Sequence, residues 1–309
     1  MPESRTDFSP ITVCTLCEGE SYKGLGTLVN SLVRAGYRGR VWAGYRGSLP
    51  NWGPLHENSE GYRNLPVADG VELVFIKVDT SAPLARYQPS FMSTVLANLD
   101  AKAEGVFYFD PAVLVLAQWN FFEKWLNFGL AVCEGSTSRI HANHPLVRHW
   151  RDSVAVFDTM SWNPPSVYLS NSLVGVRREW DSFLHLWHKL LNTRQVNPAI
   201  EETPENIYNP NADALTIATG FSLVPLSWVG NDGLGHARGE WLTIYASSKP
   251  WTRRVLFELL THGRRLDTAD HMYWSLAAGP IPVEKAARIK RQQWALRLAA
   301  ALGRFYNDG

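Results

Sequence analysis

Continuous apolar runs alternate with amphipathic stretches along the first half of the chain. The apolar runs predict buried strands at residues 11–17, 41–45, 71–78, 105–109 and 130–133. Apolar side chains at helical spacing predict helices at residues 24–35, 91–102 and 119–127. This alternation is typical of an α/β sheet with helices on both faces, and continuous apolar strands indicate that both sides of the sheet are buried.

The second half of the chain has a less regular pattern. It predicts helices at residues 179–191, 213–218 and 250–260. It predicts strands at residues 223–226 and 242–245, and at residues 168–176 either a strand pair or one strand with a turn. Loops are expected at residues 46–70 and 192–211. Since composition does not change sharply and no repeat is present, we expect one domain over residues 1–265 and a C-terminal helical extension over residues 266–309.

Composition narrows the class of protein. Of 309 residues, 45% are apolar, so the chain can bury a large core. A formal charge of +1 gives no electrostatic reason to expect a nucleic-acid partner. The first residues lack a secretion signal, and no apolar run approaches the roughly 20 residues that span a bilayer. We therefore expect a cytoplasmic protein.

Three cysteines, Cys14, Cys17 and Cys133, are too few for a disulfide framework. Cys14 and Cys17 form a C-x-x-C, which leaves open zinc or redox chemistry. The alternative is buried packing, because Cys14 lies inside a predicted apolar strand and no second C-x-x-C follows.

The strongest chemical signal lies at the ends of the predicted strands. Ligands of open α/β sheets bind beyond the carboxyl ends of the strands, which here are residues 15–18, residues 79–80 and Asp110. Asp110 follows an apolar strand directly, and a second apolar strand begins at Val113. Two residues after Asp110 stands Ala112, so the pair of carboxylates that would make a strong divalent-metal site is missing.

A series of short motifs surrounds this strand end. In chain order they are Thr15; Tyr22 with Gly24; Leu84-Ala85-Arg86-Tyr87; Phe107-Tyr108-Phe109-Asp110; Tyr168-Leu169-Ser170-Asn171-Ser172; Asn211-Ala212-Asp213-Ala214-Leu215; and Lys249-Pro250-Trp251. In this order and spacing the chain resembles GT-A fold nucleotide-sugar glycosyltransferases, most closely the galactosyltransferase and glycogenin-type group called family 8. The resemblance covers roughly residues 11–260.

The resemblance implies a GT-A-like, Rossmann-related mixed sheet flanked by helices. It implies transfer of a sugar from a nucleotide-diphosphate sugar to an acceptor, such as a glycan, a lipid-linked or a small molecule, with retained anomeric configuration. Carried over residue by residue, the donor would contact Thr15, Tyr22, Arg86, Asp110 and Lys249. Asp110 would bind the metal or the donor ribose, Lys249 and Arg86 the phosphates, and Asn171 and Asp213 would position the reacting sugar or acceptor.

The chain also departs from the family pattern. Ala112 replaces the second aspartate of the Asp-X-Asp motif, Asn211-Ala212 replaces an Asp-Gln pair, and Ser172-Leu173 replaces a glycine-bearing turn. Thr243 stands where a late histidine would complete the metal site. A degenerate motif of this kind predicts weak or absent dependence on Mn²⁺ or Mg²⁺.

Each of these residues also has an ordinary structural explanation. Asp110 could simply form a turn before a proline, Tyr22 could be a core aromatic residue, and Asp213 could cap a helix. Arg86 and Lys249 could be plain surface cations, although Lys249 before a helix opened by Pro250 would form an anion site. The second hypothesis is therefore an inactive glycosyltransferase-like protein that binds a nucleotide sugar or acts as a scaffold.

The C-terminal stretch at residues 283–305 is basic and predicted to be helical. Trp294, Leu298, Leu302 and Phe305 recur at helical spacing in it. Such a helix could lie on an anionic membrane at its inner face, or pack back on the domain or on a second subunit.

Overall fold

The computed structural model describes residues 8–57, 60–141, 143–154, 162–193, 209–229, 243–245, 249–253, 255 and 268–303. Its strands are β1 (Ile11–Glu18), β2 (Gly39–Arg46), β3 (His56–Glu57), β4 (Arg63–Ala68), β5 (Val71–Lys77), β6 (Gly105–Phe109), β7 (Val113–Val115), β8 (Leu130–Arg139), β9 (Val167–Arg177), β10 (Leu226–Val229) and β11 (Thr243–Tyr245). Its helices are α1 (Tyr22–Arg34), α2 (Gln88–Thr94), α3 (Trp119–Trp125), α4 (Pro145–Val154), α5 (Asp181–Thr193), α6 (Pro210–Phe221), α7 (Thr268–Leu276) and α8 (Ala286–Gly303).

Within these residues, nine strands form one mixed sheet in the order β10-β8-β9-β6-β1-β2-β5-β4-β3. Strands β6, β1, β2 and β5 are parallel, and β9 is antiparallel to both of its neighbours. The chain runs from β1 outward to β2 and β5, then returns to β6 on the other side of β1. The strand order therefore reverses between β1 and β6, which is where open α/β sheets form a ligand crevice.

Helices cover both faces of the sheet, as predicted. One core packs α1, α3, α7 and α8 against one face, and the other packs α2, α4, α5 and α6 against the opposite face. The alternation is visible in β1, where Val13 and Cys17 belong to the first core and Cys14 and Leu16 to the second. The prediction of an α/β protein with a large sheet flanked by helices is confirmed.

Several boundaries differ from the predictions. The predicted loop at residues 46–70 contains the antiparallel strand β4. The sequence pattern did not predict this strand because it contains Pro66, and proline is uncommon within strands. Residues 168–176 belong to one continuous strand, β9, and α4 has no predicted counterpart. The predicted strand at residues 223–226 begins only at Leu226.

The helix predicted at residues 250–260 is wrong at its start. Only a short 3₁₀ turn, Pro250–Thr252, forms there, and Arg253 is already extended. Val255 is helical, and residues 254 and 256–260 lie outside the described residues. Lys249 therefore does not stand before a helix of useful length, and the predicted helix N-terminal anion site is not formed at this position.

A second, two-stranded sheet lies next to the end of β6. Strand β7, which follows the end of β6, pairs antiparallel with β11, so that Val113 lies opposite Tyr245. The hydroxyl of Ser31 in α1 accepts the Val115 N–H, with an O–N distance of 2.9 Å. This bond ties the small sheet to the helix that follows β1.

Candidate functional site

Asp110 lies at the carboxyl end of β6 and is half-buried. Its carboxylate Oδ1 accepts the N–H of Ala112 at 2.8 Å, and its carbonyl accepts the N–H of Val113 at 2.8 Å. Its own N–H donates to the carbonyl of Ser172 at 2.8 Å. The turn-forming role of Asp110 is therefore real. The same turn fixes the carboxyl at the switch point of the sheet.

The pairing of β7 with β11 brings the segment of Lys249 near enough to Asp110 for the lysine charge to act on this carboxyl. Strand β7 begins three residues after Asp110, and β11 ends four residues before Lys249. Burial raises the pKa of Asp110, while the Ala112 N–H and the charge of Lys249 act in the opposite direction. Lys249 is exposed and adopts φ 46° and ψ 70°, the left-handed region.

The N-terminus of α1 closes against the same turn. A Cβ atom added at Gly24 would lie 2.6 Å from the carbonyl oxygen of Pro111 and 3.1 Å from Cη2 of Trp251. Only glycine permits this approach. The start of α1, the turn after β6 and the segment after Lys249 therefore meet at one place.

A cluster of four amide side chains lies next to the β9 residue that accepts the Asp110 N–H. Asn171 of β9 donates to Oε1 of Gln88 at 3.1 Å, and Asn211 donates to the same atom at 2.8 Å. Asn209 donates to Oδ1 of Asn171 at 2.9 Å. Because Asn171 directly precedes Ser172, the carbonyl acceptor of Asp110, this amide cluster adjoins the strand end.

Asn211 leaves one polar atom of the amide cluster without a partner. Its side-chain nitrogen donates to Gln88 and to the carbonyl of Ala85, but its Oδ1 has no hydrogen bond although Asn211 is only 2% exposed. A buried acceptor without a hydrogen bond to the protein is uncommon in folded proteins.

Two predicted donor contacts lie deeper than expected. Thr15 does not end β1, which continues to Glu18; it is fully buried, and its hydroxyl has no hydrogen-bond partner. Tyr22 is buried at the start of α1, where its ring packs edge-on against Trp52 with centroids 6.5 Å apart. Burial, then the neighbouring Cys17, Tyr45 and Glu18, raises the pKa of Tyr22. Tyr22 thus has the core contacts of the alternative explanation.

Arg86 and Asp213 flank the amide cluster. Arg86 is half-buried in the 3₁₀ turn Leu84–Tyr87, next to the Ala85 carbonyl that Asn211 binds. Asp213 is 1% exposed in the first turn of α6. The capping alternative for Asp213 is wrong, because α6 begins at Pro210 and its N-cap is Asn209, whose Oδ1 accepts the N–H of Asn211 at 3.0 Å.

Arg46 joins the remaining strand ends. Its guanidinium donates to Glu18 at 2.7 Å and to the carbonyls of Thr80 and Ala82 at 3.1 and 3.0 Å. The carboxyl ends of β1, β2 and β5 are therefore held together by one cation. The sequence pointed to residues 15–18 and 79–80 through their strand-end position but gave no sign of Arg46.

The residues around Asp110 do not fit a divalent cation. Ala112 offers only its N–H, which already occupies Oδ1 of Asp110. Across the described ranges, no group of three His, Cys, Asp or Glu side chains could hold a metal ion. The C-x-x-C fits no metal either, because Cys14 and Cys17 are buried on opposite faces of β1.

The C-terminal helices hold the segment that carries Lys249. Arg288 of α8 donates to the carbonyl of Trp251 at 2.8 Å and pairs with Glu284 at 2.9 Å. Arg253 pairs with the buried Asp270 of α7 at 2.8 Å. The sequence reasoning missed the roles of these residues and of Gln88, because the contacts of Arg253 with Asp270, of Arg288 with Trp251 and of Gln88 with Asn211 span 17, 37 and 123 positions of the chain.

Comparison with known proteins does not assign the chain. No protein-family profile matches it, and no curated protein matches it significantly.

Proposed function

We propose that this protein is a GT-A type glycosyltransferase that transfers a sugar from a nucleotide-diphosphate sugar to an acceptor hydroxyl. The observation that carries the proposal is the meeting, at the switch point between β1 and β6, of Asp110, Lys249 and the start of α1. The amide cluster of Gln88, Asn171, Asn209 and Asn211 adjoins the same point.

The charges near the end of β6 suit a diphosphate donor. Lys249 is exposed, so a diphosphate can reach its ammonium without displacing a buried contact. The backbone N–H groups at the start of α1 add positive potential beside it. Asp110, fixed in its turn, suits a ribose hydroxyl better than a cation, because one of its oxygens already accepts Ala112 N–H.

The amide cluster suits a sugar. Amide groups both donate and accept, as sugar hydroxyls do, and Asn209 is exposed and Asn171 half-buried, so a sugar can reach them. Asp213, on the first turn of the same helix, would position the sugar or the acceptor.

In the proposed reaction, the bond between the anomeric carbon and the diphosphate oxygen breaks and a bond to the acceptor oxygen forms. The acceptor proton leaves to the departing diphosphate or to water. Lys249 would stabilise the charge that develops on the diphosphate, which is the main electrostatic demand of the step. We expect the reaction to depend little on Mn²⁺ or Mg²⁺.

The test is a titration with UDP, GDP, CDP and TDP, and with their common sugars, in Mn²⁺ and in EDTA. Selective binding of one nucleotide in EDTA supports the proposal. Asp110→Asn should lower the affinity for this nucleotide severalfold, because the charge of the carboxylate is lost. The amide oxygen can still accept the Ala112 N–H, so the turn is kept. Asp69→Asn, which lies at the opposite end of the sheet near Gly70, is the matched control and should change nothing. If EDTA abolishes nucleotide binding that occurs in Mn²⁺, the expectation that binding needs no metal is wrong.

The second candidate is an inactive glycosyltransferase-like protein that binds a nucleotide sugar or serves as a scaffold. It is favoured by the amide cluster, in which Asn171, Gln88 and Asn209 bind one another. It predicts no product with any donor. If the protein binds none of the nucleotides, the result favours a scaffold that binds protein partners.

A further inference from the structure

Helix α8 packs one face on the protein and exposes the other. Its buried residues, Ile289, Gln292, Ala295, Leu296 and Ala299, lie on one side of the helix. Trp294 of the predicted apolar stripe is therefore not on the packing face, because it is 59% exposed. Leu298 is half-buried, and the side chains of Leu302 and Phe305 lie outside the described residues.

The outer face of α8 is cationic around this tryptophan. Lys290, Arg291 and Arg297 are all exposed and stand at helical spacing from Trp294. Lys285, just before the helix, is exposed as well. The sequence from Ala286 to Gly303 contains no Asp or Glu, so nothing on the helix itself neutralises this face.

Near the N-terminal end of α8, one cation, Arg288, contacts the rest of the protein. Arg288 is half-buried, pairs with Glu284 and stacks over Trp274 at 5.8 Å. The four exposed cations form no ion pair among the described residues, and Trp294 forms no ring contact there. No helix in the described part of the chain is long and apolar enough to cross a membrane.

We propose that the outer face of α8, defined by Lys290, Arg291, Trp294 and Arg297, docks the protein on an anionic lipid surface. Trp is the side chain that best occupies the boundary between lipid headgroups and acyl chains, and clustered Lys and Arg bind the anionic headgroups. An unpaired aromatic ring surrounded by cations fits this boundary better than it fits a protein groove. The proposal does not rest on the glycosyltransferase assignment.

The experiment is co-sedimentation of the full-length chain with vesicles of phosphatidylcholine alone, or with about one third phosphatidylglycerol. The protein should bind the anionic vesicles and not the neutral ones, and high salt should release it. Arg291→Glu with Arg297→Glu should lower the binding constant more than tenfold, since each cation near such a surface contributes about fivefold. Trp294→Ala should lower it severalfold at low salt.

Matched variants distinguish binding through this face from nonspecific effects of net charge and of exposed tryptophan. Lys77→Glu with Lys102→Glu makes the same charge change at exposed positions on other elements, and Trp228→Ala removes an exposed tryptophan from β10. Both should bind vesicles like the unaltered protein. Equal losses in the Lys77 and Lys102 variant, equal binding to neutral vesicles, or binding to duplex DNA but not to vesicles would each overturn the proposal. Circular dichroism checks that every variant is folded.

Discussion

At the scale of single residues, Lys249 combines strain and charge. Among the described residues it is the only non-glycine with a positive φ, and a side chain in this region costs about 1 kcal/mol. We expect the free energy of unfolding of Lys249→Gly to be about 1 kcal/mol higher than that of Lys249→Ala. Urea unfolding of the two variants measures this difference.

The same two variants should both lose nucleotide-diphosphate binding, by tenfold or more, because a charge-assisted hydrogen bond contributes about 1.5–3 kcal/mol. Lys102→Ala removes an exposed lysine from the opposite end of the sheet and should leave affinity unchanged. Equal stability of the glycine and alanine variants would contradict the strained backbone. Unchanged affinity in both would contradict the role of Lys249.

The three cysteines predict how stability depends on pH. Burial raises the pKa of Cys133 to about 12 and holds those of Cys14 and Cys17 well above the usual thiol range. Unfolded thiols ionise above about pH 8.5, whereas the buried ones stay protonated. The unfolded state then binds fewer protons, so the free energy of unfolding falls as pH rises.

We expect a decline of roughly 1 kcal/mol per pH unit for each thiol between pH 9 and 10.5. Urea unfolding across this range measures the decline in the free energy of unfolding. Cys133→Ala should reduce the slope by the contribution of one thiol, roughly 1 kcal/mol per pH unit. A thiol reagent should modify none of the three in the folded protein. Rapid modification at pH 7.5 would show that burial of the thiols is wrong.

At the scale of elements, α8 acts as a clamp on the segment that carries Lys249. Arg288→Met keeps the stem of the side chain and removes the donor to the Trp251 carbonyl. We expect a loss of about 1–2 kcal/mol in the free energy of unfolding and a severalfold weaker affinity for a nucleotide diphosphate. The affinity is measured by titration well below the unfolding temperature.

The matched control for this clamp is Arg297→Met, which removes an exposed arginine from the same helix. It should alter neither nucleotide affinity nor stability beyond a few tenths of a kcal/mol. A purely structural role for Arg288 would lower stability and leave the affinity unchanged.

Elements whose patterns are strong were predictable from the sequence. Strands β1, β5 and β6 and helix α1 follow from their apolar runs and helical spacing, because those patterns report burial directly. Strand β4 was missed because Pro66 is atypical of a strand, and the pairing of β4 with β5 has a register shift between Pro66 and Ala68.

The candidate site was predictable only in part. The position of Asp110 follows from strand-end geometry, which is a local property. Its approach to Lys249 depends on the pairing of β7 with β11, over 120 residues apart in the chain, and pairing of this range leaves no local signal. The amide cluster likewise depends on Gln88 meeting Asn211.

At the scale of the whole molecule, the C-terminal helices share a core with the N-terminal half. Asn30 of α1 is 2% exposed and donates to the carbonyls of Leu276 and Ile281 at 2.9 and 3.0 Å. Its Oδ1 accepts the N–H of Ile281 at 2.8 Å. Tyr273 and Trp274 of α7 are fully buried in the core that contains α1.

This shared core bears on the predicted division at residue 265, which remains a prediction. Asn30→Leu leaves the Ile281 N–H and two carbonyls without partners, so we expect a loss of about 2–4 kcal/mol in the free energy of unfolding. Asn120→Leu, at an exposed position of α3, should cost less than about 0.5 kcal/mol. Both values come from urea unfolding monitored by tryptophan fluorescence.

Removal of residues 266–309 should have a larger effect than any of these substitutions. It uncovers the apolar side of α1 and removes the partners of Asn30 and the Arg288 clamp on Trp251. We expect the shortened chain to show no cooperative unfolding transition and to bind a hydrophobic dye such as ANS, because the part of this core that α7 and α8 cover is then open to water. A sharp transition at the temperature of the full chain would instead show that the extension is a separate unit, and that α1 is stable without it.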